Sequence, residues 1–252
     1  MNRSETLAAY AYEYLGSWSL IADALRRGQE PRRYEIREPY LTIYDKEYPD
    51  SLRRLRFPPW VIFWRGNPDL LKEPGITVVG SRQMNAYGRE MTVQIASRLR
   101  EKFVLVSGLA RGVDAQVHRT ALAGGKTIGV IGSGLSTHYP RCNAGLYEQM
   151  AGSHLILSEY PCFVPVRREH FPWRNRILAA LGQQIIVTQA RCKSGTMLTV
   201  NEAVALGKDV WCVPWPLVSP EGEGCNQLIA QGALILASLE QLEDIRPQPR
   251  RA

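Results

Sequence analysis

From residue 73 onward, short apolar runs alternate with longer stretches in which apolar residues recur at helical spacing. Continuous apolar runs are typical of strands that are buried on both faces of a parallel sheet. The pattern predicts strands at 76–79, 103–106, 127–131, 154–157, 184–187 and 209–213. It predicts helices between them at 86–100, 113–122, 144–150, 175–181 and 196–206. Because crossover connections are right-handed, this alternation predicts an α/β fold with a doubly wound, mostly parallel, Rossmann-like sheet.

The residues before Glu73 follow a different pattern, and a polar turn at 73–75 separates them from the alternating region. Apolar residues recur at helical spacing from 7 to 25, and a charged connector follows at 29–38. Strand-like runs at 40–44 and 61–64 flank a short helix at 48–55. We therefore expect a small N-terminal helical and strand annex beside the sheet. The predicted units are a helical segment at 1–38, a strand–helix–strand extension at 39–72 that packs on the sheet, and a Rossmann-like domain at 73–252.

Composition narrows the class of protein. A chain of 252 residues that is 45% hydrophobic and 22% charged is an ordinary globular protein, which excludes disordered and fibrous classes. No apolar run reaches the ~18 residues of a membrane span, and Glu5 and Glu13 interrupt any signal-peptide pattern. We expect a cytoplasmic protein without a membrane partner. The net charge of +7 favours a polyanionic ligand.

The five cysteines form an odd count without a CxxC pair. This spacing suggests neither a disulfide framework nor a zinc cluster. We expect reduced thiols that are mostly buried.

Small residues follow the first three predicted strands of the alternating region. The segments are Gly80-Ser81-Arg82, Ser107-Gly108-Leu109-Ala110-Arg111-Gly112 and Gly132-Ser133-Gly134. Glycine lets backbone N–H groups approach a phosphate, and a following helix N-terminus favours an anion. Each segment alone is equally consistent with a tight strand-to-helix turn. Because all three fall on one edge of the sheet, they favour phosphate binding.

The next connection, residues 166–176, is basic and aromatic. Four arginines stand against one glutamate: Arg167, Arg168, Arg174 and Arg176, with Glu169. Phe171 and Trp173 lie among them. Guanidinium groups pair with phosphates and aromatic rings stack on bases, a combination typical of single-stranded nucleic-acid sites. The alternative is a solvated basic loop with Phe171 in the core.

Further along the chain, Lys193-Ser194-Gly195 begins another helix and adds a cation and free N–H groups.

Residues that could carry catalysis are better explained structurally. Asp114 and His118 are four residues apart on a predicted helix, but no nucleophile is placed beside them. Glu159 is interpreted as an ion-pair partner for the arginines. The histidines show no metal-ligand spacing. We expect no catalytic residue, no metal and no cofactor.

At these residues the chain resembles the DNA-processing protein A family (DprA, also called Smf). The matching segments occur in family order between about residues 40 and 236. They are Val79-Gly80-Ser81-Arg82, Ser107 to Asp114 with His118, Gly132 through Tyr139-Pro140, Ser158-Glu159, Phe171-Pro172 with Arg174-Asn175-Arg176, Ser194-Gly195, and Gly224 with Asn226, Leu228-Ile229 and Gly232-Ala233.

The resemblance implies a Rossmann-like homodimer that binds and protects single-stranded DNA in a positive pocket and helps load the RecA recombinase in natural transformation. The candidate DNA-contacting residues, with Gly132 added from the loop argument, are Ser81, Arg82, Arg111, Gly132, Arg168, Phe171, Arg174, Asn175, Arg176, Lys193, Ser194 and Gly195. If Arg82, Arg111, Arg168, Arg174 and Arg176 all contact phosphates, the salt slope of binding is about −3.5.

The chain departs from the family pattern at three positions. Gln189 stands where the family usually has Glu, Gly182 where a small polar residue is common, and Trp215 where Gly is expected. Residues up to about 38 are interpreted as a possible remnant of the family's SAM-like domain. We also expect that no winged-helix domain follows Arg246.

Two enzyme classes are the alternatives. Gly195-Thr196 with Glu202 is similar to a segment of the lysine-decarboxylase-like nucleoside monophosphate phosphoribohydrolases, which release a free base. The lack of a second glycine and the presence of Thr199 disfavour that class. A dinucleotide-dependent enzyme is disfavoured because Gly132-Ser133-Gly134 lacks the third glycine and downstream acid of the fingerprint. A DNA-binding protein without chemistry of its own is the leading hypothesis.

Overall fold

The structure is a computed structural model that describes residues 1–248. Within that range the strands are β1 Tyr40–Thr42, β2 Val61–Gly66, β3 Gly75–Val79, β4 Val104–Ser107, β5 Lys126–Ile131, β6 Leu155–Ser158, β7 Ile185–Val187, β8 Val210–Cys212 and β9 Leu234–Ile235. The α-helices are α1 Arg3–Glu13, α2 Trp18–Arg27, α3 Asp50–Arg53, α4 Ala86–Leu99, α5 Val113–Leu122, α6 Ala144–Ser153, α7 His170–Leu181, α8 Gly195–Ala205, α9 Glu223–Ala230 and α10 Gln241–Asp244. Short 3-10 helices occupy Pro68–Lys72 and Arg141–Asn143.

All nine described strands form one sheet, in the order β1-β2-β6-β5-β4-β3-β7-β8-β9. The seven strands from β6 to β9 in this order are parallel to one another, whereas β2 pairs antiparallel with β6 and β1 pairs antiparallel with β2 at one edge. The order runs one way from β3 through β4 to β6 and the other way through β7 to β9, which confirms the doubly wound, Rossmann-like prediction. The order changes direction between β3 and β7, so the loops after these two strands lie at the switch point, near which such sheets bind ligands.

The N-terminal helices share a core with the sheet. Leu7 and Tyr10 of α1 and Ile21 of α2 pack in one buried cluster with Phe63 of β2 and Ile156 of β6. A second and larger cluster fills the space between the sheet and α4, α5, α7 and α8. No helix among the described residues has the length and apolar content that a bilayer span requires.

Most predicted elements lie within a few residues of the observed ones, and the main exception is α7. This helix begins at His170 rather than at 175, so part of the predicted basic loop is its first turn. Pro172 lies in that turn, where a missing N–H costs no helical hydrogen bond. Arg174 and Arg176 therefore lie on a helix rather than in a loop.

The cysteines are less buried than expected. Only Cys212 and Cys225 are buried, whereas Cys162 and Cys192 are half-buried and Cys142 is exposed. The prediction that they are mostly buried is wrong because Cys142 lies in a surface 3-10 helix and Cys162 and Cys192 lie in loops. All five thiols are free.

Candidate nucleic-acid interface

A pocket of about 260 Å³ opens at the carboxyl edge of the sheet. It collects the loops after β3, β4 and β5 and the first turns of α7. Its lining residues are Arg82, Gln83, Gly108, Ala110, Arg111, Ile131, Gly132, Ser133, Tyr139, Pro140, Phe171 and Arg174. The structure thus brings together the three small-residue loops that the sequence placed on one edge.

Arginines and aromatic rings form the outer part of the pocket, which we call the rim and define by Arg82, Arg111, Tyr139 and Phe171. Both arginines are exposed. The guanidinium of Arg82 lies 5.2 Å from the centre of the Phe171 ring, and the Tyr139 ring centre is 5.7 Å from that of Phe171. The rim therefore offers charged donors beside π-faces, as a strand of phosphates and unpaired bases requires.

The loop that carries Arg82 has a fixed shape. The Ser81 hydroxyl accepts from the Gln83 N–H and donates to the Gln83 carbonyl, both at 3.0 Å. Gly112, which has φ +72°, lies against this loop, and a Cβ at Gly112 would collide with the Ser81 carbonyl oxygen. Ser81 thus shapes the loop from outside the pocket lining, and Gly112 allows the β4–α5 loop to approach it.

Arg174 is buried beneath the rim, and with Asp114 it forms what we call the floor. Its Nη1 donates to the Gly108 carbonyl at 2.7 Å and also to the Val130 carbonyl. Both groups are buried, and the charge of each acts on the pKa of the other. Burial raises the pKa of Asp114 and the nearby guanidinium opposes that rise; burial also lowers the pKa of Arg174. The Arg174 guanidinium ties the ends of β4 and β5 together, although its side chain lines the pocket.

Arg176 and Asn175 lie outside the pocket lining. Arg176 forms a 2.6 Å ion pair with Glu159, and each side chain is 4% exposed. The Arg176 guanidinium also lies 4.4 Å from the centre of the Trp173 ring. Asn175 donates from Nδ2 to the Gly195 carbonyl at 3.3 Å, which joins α7 to the start of α8. The predicted role of Glu159 as an ion-pair partner is confirmed.

Four of the remaining predicted site residues are not among the residues that line the pocket. Ser194 is the N-cap of α8, Gly195 is its first residue, and Lys193 is exposed just before them. Arg168 is exposed two residues before α7. Gly132, by contrast, is a lining residue, and a Cβ there would lie 3.3 Å from the Phe171 ring.

Sequence reasoning missed Tyr139 and Pro140 as lining residues, although both belong to a segment that carries the family resemblance. It also missed the link between Asp114 and Arg174. The signal for that link was an aspartate in the first turn of a buried helix, since a buried carboxylate needs a cation or donors.

Asp114 and His118 do not form the acid–base pair that the sequence left open. Asp114 faces Arg174, whereas the Nδ1 of His118 lies 2.7 Å from the Thr127 hydroxyl. Burial lowers the pKa of His118 to about 3, which leaves it neutral near pH 7. Among residues 1–248, no three His, Cys, Asp or Glu side chains are grouped closely enough to hold a metal ion.

Comparison with known proteins places this chain in a family. The model of the family described as DNA recombination-mediator protein A matches residues 39–246. The DNA processing protein DprA of Streptococcus pneumoniae is 40% identical over 201 residues, which cover 79% of this chain and 71% of that protein. The DprA of Bacillus subtilis is 38% identical over 211 residues, covering 82% and 71%.

Solved structures agree with the sequence comparison. The X-ray structure of the S. pneumoniae DprA superposes with a TM-score of 0.81 at 32% identity, over 96% of this chain and 92% of that one. A structure of the Helicobacter pylori DNA processing protein A, described for its single-stranded DNA binding mode, gives a TM-score of 0.76 at 30% identity, over 82% and 95%. The chain therefore belongs to the DNA recombination-mediator protein A family.

Proposed function

We propose that this protein binds single-stranded DNA in the pocket at the carboxyl edge of the sheet and performs no catalytic step there. The observation that carries the proposal is the rim, where an exposed guanidinium lies over a phenyl ring and a second ring stands beside it. Phosphates pair with guanidinium groups and unpaired bases stack on rings, whereas a duplex keeps its bases stacked inside. The single-stranded DNA binding described for the H. pylori relative supports the same ligand.

The exposed cations among the candidate DNA-contacting residues set the expected salt dependence of binding. Arg82, Arg111, Arg168 and Lys193 are exposed, and the N-terminus of α8 lies beside Lys193. Four phosphate contacts give a salt slope of about −2.8, since single strands contribute roughly −0.7 per contact. The value is smaller than the −3.5 of the sequence-based estimate because two of its five arginines, Arg174 and Arg176, are buried and bonded to protein groups, whereas only one cation, Lys193, is added.

The experiment is an anisotropy titration with oligo-dT, a duplex of the same length, and AMP, each at two salt concentrations. We expect oligo-dT to bind most tightly and with the stated slope. Arg119, which is exposed on α5, supplies a control, because Arg119→Ala removes the same charge as Arg82→Ala. Equal binding of duplex and oligo-dT would contradict the preference for single strands, and equal losses in the two variants would show that the pocket is not the DNA site.

A second assay addresses the phosphoribohydrolase alternative. Incubation of the protein with nucleoside monophosphates, followed by chromatography for free base, should yield none if the pocket only binds. Release of free base that stops in Arg82→Ala would favour the enzyme instead.

We also propose that the protein acts as a homodimer and helps load RecA on the strand it protects. RecA loading rests on the family alone. For the dimer, support comes from β9, an edge strand on which Leu234 and Ile235 are both more than 40% exposed, because unpaired edges with apolar side chains are typical association surfaces. Sedimentation of the wild type and of Ile235→Glu tests the dimer, and RecA filament assembly on oligo-dT tests loading. A monomeric wild type, or unchanged RecA assembly, would contradict the respective proposal.

A further inference from the structure

Gln189 is fully buried at the carboxyl end of β7, directly behind the loop that carries Arg82. Its backbone carbonyl accepts from the Ser81 N–H at 2.8 Å. Its side-chain Oε1 accepts from the Asn85 N–H, and its Nε2 donates to the Gln83 carbonyl, both at 3.2 Å. Because one partner is a donor and the other an acceptor, the orientation of the amide is fixed by the bonds themselves.

The fold makes room for this amide. A Cβ at Gly88, in the first turn of α4, would collide with the Gln189 Oε1. On the other side of the loop, a Cβ at Gly112 would lie 2.8 Å from the Arg82 carbonyl carbon. The segment 81–85 is thus held between the Gln189 amide and the β4–α5 loop.

We propose that Gln189 is a positioning residue for single-stranded DNA binding, because its amide fixes the loop that holds the Arg82 guanidinium over Phe171. This inference rests on the proposed function of the pocket. In this chain the Asn85 N–H takes an acceptor and the Gln83 carbonyl takes a donor from the same side chain, and an amide supplies both. An ionised carboxylate accepts hydrogen bonds but cannot donate one, and a thioether cannot donate and accepts only weakly.

The primary experiment is a double-mutant cycle between Gln189→Met and Arg82→Ala, read by affinity for oligo-dT. Methionine keeps the volume and removes both hydrogen bonds. If Gln189 acts through Arg82, Gln189→Met weakens binding about fivefold in the wild type, part of the loss expected for one charged contact, and does not weaken it further in Arg82→Ala. Equal losses in both backgrounds would overturn the proposal.

Gln189→Glu supplies a readout that a merely structural role would not move. Burial raises the pKa of a carboxyl group, and the protonated acid regains the donor for the Gln83 carbonyl. We expect this variant to bind oligo-dT nearly as well as the wild type at pH 5.5 and about tenfold less well at pH 8. The groups on Gln83, Asn85 and Gly88 that contact the amide do not titrate. Gln149→Glu, on an exposed position of α6, controls for the added charge and should show a constant ratio to wild type. A pH-independent ratio for Gln189→Glu contradicts the proposal.

Limited trypsin digestion tests the same loop without DNA. A loosened loop exposes the bond after Arg82, so we expect faster cleavage there in Gln189→Met than in the wild type, with other sites unchanged. Unchanged cleavage after Arg82 would overturn the positioning role. If the wild type fails to bind oligo-dT, the proposed function fails and the role in DNA binding falls with it, whereas faster cleavage would still show that Gln189 holds the loop.

Discussion

The exposed arginines of the rim and two buried arginines of α7, Arg174 and Arg176, which we call the buried layer, use the same side chain in opposite ways. Arg82 and Arg111 are exposed on loops that follow strands, and the Arg82 guanidinium rests on an aromatic ring. Arg174 and Arg176 lie on α7, are at most 4% exposed, and bond to carbonyls or to a carboxylate. All four belong to the sequence segments that carry the family resemblance. Their surroundings, rather than their residue type, separate DNA-contact candidates from structural residues.

The physical reason is desolvation. A buried guanidinium loses its hydration and is tolerated when a carboxylate pairs with it, as Glu159 pairs with the Nη2 of Arg176. An exposed guanidinium keeps its donors available for a phosphate. We therefore expect substitutions in the buried layer to change stability and substitutions at the rim to change binding.

The largest effect is expected for Arg176→Met, which leaves the Glu159 carboxylate buried without its partner. Breaking such a pair costs about 3–5 kcal/mol, so the free energy of unfolding in urea should fall by that amount. Adding Glu159→Gln should restore part of it. Affinity for oligo-dT, measured where the variant is folded, should stay within about twofold because no contact to DNA is lost. An Arg176→Met variant of normal stability that binds oligo-dT poorly would show that Arg176 contacts DNA.

A smaller effect is expected for His118, which, like Asp114, is a buried residue of α5. Its pKa is about 3 in the folded state because it is buried, whereas an unfolded histidine titrates near 6.5. Below pH 6.5 the unfolded chain therefore binds a proton that the folded chain does not. The resulting stability is present above pH 6.5 and falls by roughly 1.4 kcal/mol per unit as the pH drops, or about 2 kcal/mol between pH 7 and 5.

Urea unfolding of the wild type and of His118→Asn at both pH values isolates this group, because the other titrating groups are common to both. The asparagine amide can still reach the Thr127 hydroxyl, so the variant is designed to remain folded. Its loss of stability between pH 7 and 5 should be smaller than that of the wild type by about 2 kcal/mol. The same loss in both proteins would exclude a neutral, buried His118.

The sequence predicted the fold, and it placed the loops that line the pocket on one edge of the sheet, because both follow from local patterns. Apolar runs specify buried parallel strands, and strands of one sheet bring their following loops to a common edge, which placed Arg82, Arg111 and Gly132 together. The sequence could not separate Arg82 from Arg174, since both stand beside small or aromatic residues. That distinction depends on α7 beginning five residues before its predicted start, in a segment where charge and Pro172 obscured the helical pattern.

Local sequence patterns also could not predict contacts between segments that are distant in the chain. The charge of Arg174 on α7 acts on Asp114 of α5, and although a buried aspartate indicates that a cation or donors lie near it, nothing in the spacing of either segment identifies Arg174 as that cation. Gln189 was visible only as a departure from the family pattern. Its hydrogen bonds to Gln83 and Asn85 required the placement of β7 beside β3.

At the rim, Arg82→Ala should weaken oligo-dT binding about tenfold, or about 1.4 kcal/mol, because one charged contact is lost. The salt slope should decrease by about 0.7. The free energy of unfolding should change by less than about 0.5 kcal/mol, since the side chain is exposed. Arg119→Ala should leave both the affinity and the slope near wild type. A large loss of stability in Arg82→Ala would show that the rim and the buried layer are not separable.

The smallest effect is expected for Phe171→Leu. Leucine retains apolar volume against Gly132 but removes the π-face that lies under Arg82 and beside Tyr139. We expect a loss of about 1 kcal/mol in affinity for oligo-dT, at the low end of base–aromatic stacking. An abasic strand of the same length has the phosphates without the bases, so the wild type and the variant should bind it alike if the ring stacks on a base. Phe163→Leu, which replaces an exposed ring outside the pocket lining, is the control and should change neither affinity. An equal loss with the abasic strand would mean that Phe171 acts only as a support for Arg82, and the rim would then recognise phosphates alone.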